Sequence, residues 1–265
     1  MTPINIGISG AAGRMGQRLT AFITADSTLK LTAAMEADGH AYLGRDAGEV
    51  AGVGNIGLPI TADIEKKVDV FIDFSSPHAT EKIVNRCAEL GIPLVFATTG
   101  TTLEQNVFIR QMSQKIPLLV SPSMSMSVNV AMKLCETAAQ TLKDKDADVE
   151  IIERHHRFKK DAPSGTALKF GKIISDAMSI TDSRFGREGV LGERPHNEIA
   201  YHAVRIGDNP GEHTILFGLL GETLEITVKA TNRDCYAAGA IAAAKFLHDK
   251  EPGLYSMFDV LSSSE

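Results

Sequence analysis

Arg154-His155-His156-Arg157-Phe158-Lys159-Lys160 gathers four fixed cations and two histidines into seven residues, in a chain whose formal net charge is -6. Imidazoles titrate near neutrality and can hand over a proton, while ammonium and guanidinium groups hold carboxylates. Pro163-Ser164-Gly165-Thr166 follows at once and opens an apolar run with helical spacing. Ser164 reads as the N-cap of that helix and Gly165-Thr166 as its first turn, whose N–H groups and Thr hydroxyl can receive an anion. Together these residues describe a compact pocket for a small, carboxylate-rich dianion. The patch is too local for nucleic acid, which needs a broad basic face. Adjacent residues on a strand point to opposite sides, so His155 and His156 have different tasks: one donates a proton, the other a hydrogen bond to substrate. Spacing does not say which does which. A solvated basic loop is the plain alternative. Glu153 and Asp161 stand nearby, but no third ligand has metal spacing and no metal is expected.

A second cluster lies near the amino terminus. Gly10-Ala11-Ala12-Gly13-Arg14-Met15-Gly16 is a G-x-x-G-x-x-G sequence between an apolar run and a helix-like segment. Such a turn can hold a pyrophosphate on backbone N–H groups and the helix dipole. Glu36 comes 20 residues after Gly16 and can accept the ribose 2′-hydroxyl. Its neighbour is Ala37 rather than the arginine that would tolerate a 2′-phosphate, so NADH is expected to be preferred over NADPH. Ala97-Thr98-Thr99 and Ser121-Pro122-Ser123-Met124 follow two later apolar runs, at the strand edge where ligands sit in an open parallel sheet; ordinary turn chemistry fits them as well. Asp73, Ser75 and Ser76 before Pro77 fit the cap of the next helix. A nucleotide turn plus an anion pocket carrying an acid gives a reaction class: hydride transfer to a small acidic substrate with protonation by the protein.

These groups need a scaffold, and the order of elements supplies one. Apolar runs at 4–10, 29–36, 68–75, 93–100 and 117–122 alternate with helical segments, which predicts a parallel sheet covered on both faces. Residues 39–57, rich in glycine, read as a long loop. Beyond about residue 126 the pattern changes: a helix at 128–142, a strand into His155-His156, the Ser164 helix, then strands at 199–207, 213–221 and 223–231 with polar alternation. In the last, Leu224, Ile226, Val228 and Ala230 share one face. Turn signals at 208–211 and 221–222 suggest hairpins, and a mainly antiparallel or mixed open sheet follows. The expected fold is α/β: a Rossmann-like dinucleotide-binding domain over 1–126, completed by a small-residue helix and tail at 233–265, and an α+β domain over 127–232. One sheet face in the second domain needs cover, which suggests association with other subunits.

Composition agrees. With 265 residues, 43% hydrophobic and 23% charged, the chain can bury a globular core. No apolar run reaches the roughly 18 residues of a membrane span, and no leader sequence is evident, so a cytoplasmic protein is expected. Cys87, Cys135 and Cys235 read as buried free thiols.

Residues 150–167, EIIERHHRFKKDAPSGTA, resemble the signature of the dihydrodipicolinate reductase family at every fixed position. GAAGRMG, DFS, TTG, GEHT and GETLEITVKA extend the likeness over nearly the whole chain. The resemblance implies reduction of a cyclic unsaturated imine dicarboxylate at C4 by NADH or NADPH, giving tetrahydrodipicolinate on the route to diaminopimelate and lysine. By matching positions it implies His155 as proton donor and Lys159 as a second catalytic group. His156, Gly165 and Thr166 would hold substrate carboxylates. The cofactor would lie along Gly10 to Met15, Glu36, Ala97 to Thr99 and Ser121 to Met124. It also implies a homotetramer joined through the second domain's sheets, and hinged domains that close over the ligands. Ala97, Ser123 and Ser127 depart from residues common in the family, a glycine, an asparagine and a glycine. Two rivals fit less well. An acyl-enzyme aldehyde dehydrogenase would need a cysteine in an active-site turn, and a nucleotide sensor would have no use for the histidine–lysine pocket.

Overall fold

A computed structural model describes residues 2–64 and 68–263. The chain forms two compact units, residues 1–126 with 233–265, and residues 127–232.

The first unit begins with β1 (Ile4–Ser9), α1 (Arg14–Ala25), β2 (Leu29–Met35), α2 (Ala47–Ala51) and β3 (Ile60–Thr61). It continues through β4 (Val70–Asp73), a 3-10 turn at Pro77–Ala79, α3 (Thr80–Leu90), β5 (Leu94–Phe96), α4 (Leu103–Met112) and β6 (Pro117–Val120). All of β4 and β5 is buried. Their side chains alternate between two cores. Val70, Ile72 and Val95 join Leu19 and Ile23 of α1, whereas Phe71, Leu94 and Phe96 join Ile83, Val84 and Cys87 of α3. A sheet covered on both faces needs strands that are apolar throughout, and these are.

The stretch 39–57, expected to be a loop, contains α2 and leads into β3. Five helical residues are too few to show periodicity. They are held instead by Asp46, whose carboxylate accepts N–H groups from Gly48, Glu49, Ile56 and Leu58 at 2.9–3.1 Å.

The second unit holds α5 (Met126–Leu142), β7 (Asp148–His155), α6 (Gly165–Met178), β8 (Asp182–Phe185), β9 (Glu198–Arg205), β10 (Glu212–Leu219) and β11 (Glu222–Lys229). The sheet order is β11-β10-β7-β9-β8. β7 is antiparallel to β10 and parallel to β9, so the sheet is mixed. A tight turn at Leu220-Gly221 joins β10 and β11 as a hairpin. The turn at 208–211 is not a hairpin, because β7 lies between β9 and β10. Turn residues report that the chain reverses, not which strand it will lie beside. β8 was not anticipated: it is a four-residue strand, exposed throughout, with no apolar alternation. Val149, Ile151, Glu153 and His155 of β7 point to the same side as His213, Ile215 and Phe217 of β10. Phe170 of α6 lies against His213 on that side.

The chain then returns to the first unit with α7 (Asp234–Leu247), β12 (Gly253–Tyr255) and α8 (Met257–Ser262). β12 pairs with β6, completing an all-parallel seven-stranded sheet in the order β12-β6-β5-β4-β1-β2-β3. Ala237, Ala240, Ala243 and Ala244 are fully buried, and small residues let α7 press close to its neighbours. Gly239 marks the closest approach, since a Cβ there would overlap the Met124 carbonyl oxygen. None of the three cysteines is in a disulfide; Cys87 and Cys135 are buried and Cys235 is half-buried.

Candidate active site

In the second unit β7 delivers His155 at its last position, 7% exposed. Glu153, two residues earlier and so on the same side of the strand, is fully buried beneath it. His155 Nδ1 lies 2.6 Å from Glu153 Oε2. Arg205, brought alongside by parallel pairing of β9 with β7, donates to both carboxylate oxygens at 2.8 Å. Burial pushes Glu153 up, but hydrogen bonds from His155 and Arg205 outweigh it and bring the carboxyl down to about 2. The group is an anion at neutral pH.

Glu153 Oε1 also accepts the Ser164 N–H at 3.0 Å. Ser164 caps α6 as its sequence position predicts, its hydroxyl accepting the Ala167 N–H at 3.1 Å. Gly165 begins the helix, and a Cβ added there would meet nothing within 4 Å, so the space over the first turn is open. Thr166 is half-buried beside it. The Ser164 hydroxyl lies 3.0 Å from His213 Nε2, and the His213 ring stands edge-on to His155 at 5.2 Å. Burial, with the neighbouring His155 ring acting in the same direction, lowers His213 to about 4.

Lys159 is half-buried and paired with Asp161 at 2.9 Å. His156 is half-buried just past the strand, next to exposed Phe158. Arg157 and Lys160 are exposed. The basic run is therefore divided: His155 turned into the fold, Lys159 and Arg154 held on carboxylates, Arg157 and Lys160 in solvent. Sequence reasoning missed three members of this site. Glu153 carried a signal in its two-residue spacing from His155, and His213 lies in the GEHT segment that matched the family without a role attached; Arg205 carried none that names it.

In the first unit, the expected nucleotide turn joins β1 to α1. Gly10 has φ 76°, and a Cβ there would come within 2.8 Å of the Phe74 carbonyl oxygen; a Cβ on Gly16 would overlap that of Gly10. Gly13 stands at the N-cap without a side-chain cap, so the first N–H groups of α1 have no such partner. Ala11 is buried, and exposed Arg14 and half-buried Met15 open the helix. Glu36 Oε1 accepts the Ala12 N–H at 2.9 Å, fixing the carboxylate against the turn. A cavity of about 430 Å³ runs past Gly10, Gly13, Glu36, Phe74, Ser75 and His78. Lys82 reaches the same cavity but is held by Asp38 at 2.9 Å.

Asp73 does not cap the next helix. It is buried, accepts the Ser75 N–H at 3.2 Å and the Thr98 hydroxyl at 2.7 Å, and so ties the ends of β4 and β5 together. Burial raises its pKa against the opposing hydrogen bonds of Ser75, Thr98 and Ser9. Ala97 is buried in the same turn and Thr99 is exposed. Past β6, the Ser121 hydroxyl donates to the Ser123 carbonyl at 2.7 Å, and Pro122 is exposed. Met124 lies in the core, 1% exposed, leaving its backbone as the part a ligand could meet. The glycine turn, the uncapped start of α1 and the Glu36 carboxylate at the head of a cavity fit a dinucleotide. Among the described residues no group of three or more His, Cys, Asp or Glu could hold a metal ion.

Residues 4–124 match the N-terminal, and residues 127–261 the C-terminal, family profile of dihydrodipicolinate reductase. The chain belongs to the dihydrodipicolinate reductase family. It is 50% identical over 273 residues to a 4-hydroxy-tetrahydrodipicolinate reductase of Rhodopirellula baltica, covering 99% of this chain and 98% of that one. A relative of the same description in Hahella chejuensis is 42% identical over 262 residues, covering 97% and 98%. Among solved structures, the fold is similar to a dipicolinate-bound dihydrodipicolinate reductase from Paenisporosarcina sp. TG-14, with TM-score 0.74, 25% identity and coverage of 96% and 98%. A probable dehydrogenase from Thermotoga maritima, at 12% identity and TM-score 0.62, shares the fold alone. As a member of this family, the chain is an NAD(P)H-dependent oxidoreductase of diaminopimelate and lysine biosynthesis, forming tetrahydrodipicolinate from 4-hydroxy-tetrahydrodipicolinate.

Proposed function

We propose that His155 is the proton donor of this reductase, with Lys159 as the second catalytic group, stabilising charge on the substrate. His156, Gly165 and Thr166 bind the substrate carboxylates. One observation carries the reading: the Glu153 carboxylate contacts both His155 and Ser164, placing an acid next to an open helix N-terminus. A bound nicotinamide supplies the hydride. Reduction of an unsaturated imine leaves an electron-rich ring that needs a proton, and His155 is the buried titratable group available to give it. The α6 turn and Lys159 balance the substrate's two negative charges.

The first unit takes the dinucleotide along Gly10 to Met15, Glu36, Ala97 to Thr99 and Ser121 to Met124. The second takes the substrate and forms the subunit contacts of a homotetramer in the cytoplasm. NADH is preferred over NADPH. Glu36 faces the position of a ribose hydroxyl, Ala37 offers no cation, and the charge of Lys82 is already met by Asp38. The test is loss of reduced-nicotinamide absorbance with freshly prepared 4-hydroxy-tetrahydrodipicolinate, run with each cofactor on wild type and His155→Gln. The expected result is faster NADH oxidation by wild type, and at least a 100-fold loss of kcat in His155→Gln with NADH binding unchanged. Near-normal turnover by His155→Gln would remove the donor assignment; a clear NADPH preference would remove the cofactor assignment.

A further inference from the structure

A proton donor needs its ring held with the correct nitrogen outward, and four contacts at one carboxylate supply this. Glu153 Oε2 meets His155 Nδ1, Oε1 accepts the Ser164 N–H, and the Arg205 fork donates to both oxygens. Arg205 is itself anchored, donating to the Asp161 carbonyl at 2.6 Å and the Val204 carbonyl at 2.8 Å. With Glu153 ionised, the hydrogen in the 2.6 Å contact belongs to His155 Nδ1. The other tautomer would turn an imidazole lone pair against a carboxylate, which is repulsive.

We propose that Glu153 is the positioning residue of the proton donor, holding His155 as the Nδ1–H tautomer with Nε2 free, and fixing the first turn of α6 beside it through Ser164. This rests on the reading of His155 as donor. The proton balance then closes without a ring flip. The imidazolium carries Nδ1–H on Glu153 and a second proton on Nε2. That second proton passes to the reduced ring, and the N–H electron pair stays on Nε2. The neutral ring left behind is the tautomer Glu153 selects, and solvent reloads Nε2. Arg205 supplies the compensating charge that keeps the buried carboxylate from taking a proton itself.

Long-range 15N–1H correlation spectra of 15N-histidine-labelled protein test this, with His155 assigned from the signal lost in His155→Gln. Neutral His155 in wild type is expected as the Nδ1–H tautomer, and Glu153→Gln should give a tautomer mixture. In Glu153→Gln kcat should fall about 100-fold, with the KM for NADH within twofold of wild type. A wild-type Nε2–H tautomer overturns the proposal, as does Glu153→Gln with unchanged tautomer and kcat. If Glu153→Gln fails to fold, Glu153→Asp keeps the charge but withdraws it by one methylene. A tenfold loss of kcat with a shifted tautomer signal then supports the proposal, and wild-type values of both overturn it. Failure of the donor reading shows separately, as turnover retained by His155→Gln whatever the tautomer.

Discussion

Burial pushes Glu153 and Asp73 the same way, yet they end on opposite sides of the ordinary carboxylate range because their partners differ. Glu153 receives a full cation; Asp73 receives hydroxyls and an N–H group. His213 is another buried titratable side chain, and its lowered pKa has a measurable consequence. A histidine at about 4 in the fold and 6.5 when unfolded leaves the unfolded chain binding more protons between those values. Stability therefore falls as pH drops from about 6.5 to 4, by on the order of 3 kcal/mol. Glu153 adds a second loss: its stabilising contribution is complete above 4.5 and disappears as pH falls towards 2. Denaturant unfolding of the intact chain at pH 7, 5.5 and 4.5 should show the first loss, and His213→Asn should flatten it. An unchanged slope in His213→Asn would place the titration elsewhere.

At the scale of elements, the strongest statement concerns the start of α6. Ser164 caps the helix, receives the Glu153 contact and meets His213. Ser164→Ala removes the cap and should cost about 1 kcal/mol of stability. It should also raise the KM for substrate several-fold while leaving the KM for NADH alone, because the loosened turn is the proposed anion site of the substrate. Steady-state kinetics varying one reactant at a time will separate the two; equal increases in both KM values would mean general loosening. This cap was legible in the sequence because Ser-Gly-Thr before an apolar run has a local cause. The alternation of the first unit was legible for the same kind of reason: β4 and β5 are apolar throughout, and only a sheet covered on both faces permits that. Short polar elements were not. α2 depends on Asp46 reaching residues ten and twelve positions ahead, and β8 has an exposed strand's composition. Arg205 illustrates the deeper limit. It is 52 residues from Glu153 and reaches it because β9 pairs in parallel with β7, placing Arg205 opposite His155. No local spacing encodes that neighbour.

On the scale of the whole molecule, the outer face of the second sheet carries the last argument. One side of that sheet has α6 against it; the other presents Ile152 and Leu216, half-buried, beside an ion cluster centred on Glu150. Glu150 receives both Arg187 amino groups at 2.8 Å, Arg194 Nε at 2.9 Å and lies 2.6 Å from His202 Nε2. Burial opposes ionisation there, and the arginines and His202 overcome it to bring the carboxyl to about 2. Apolar side chains among satisfied charges form a surface that can be covered without leaving a bare ion. If this face joins the subunits of the proposed homotetramer, light scattering of wild type should give about four times 28.4 kDa. Leu216→Arg should then give a smaller species. The fold should survive, since position 216 lies opposite Glu150 on one neighbouring strand and Glu225 on the other, and an arginine there has carboxylates on both sides. Circular dichroism of Leu216→Arg should therefore match wild type while its mass falls. A wild type that is monomeric at micromolar concentration would refute the assembly, and a variant that stays tetrameric would move the interface off this face.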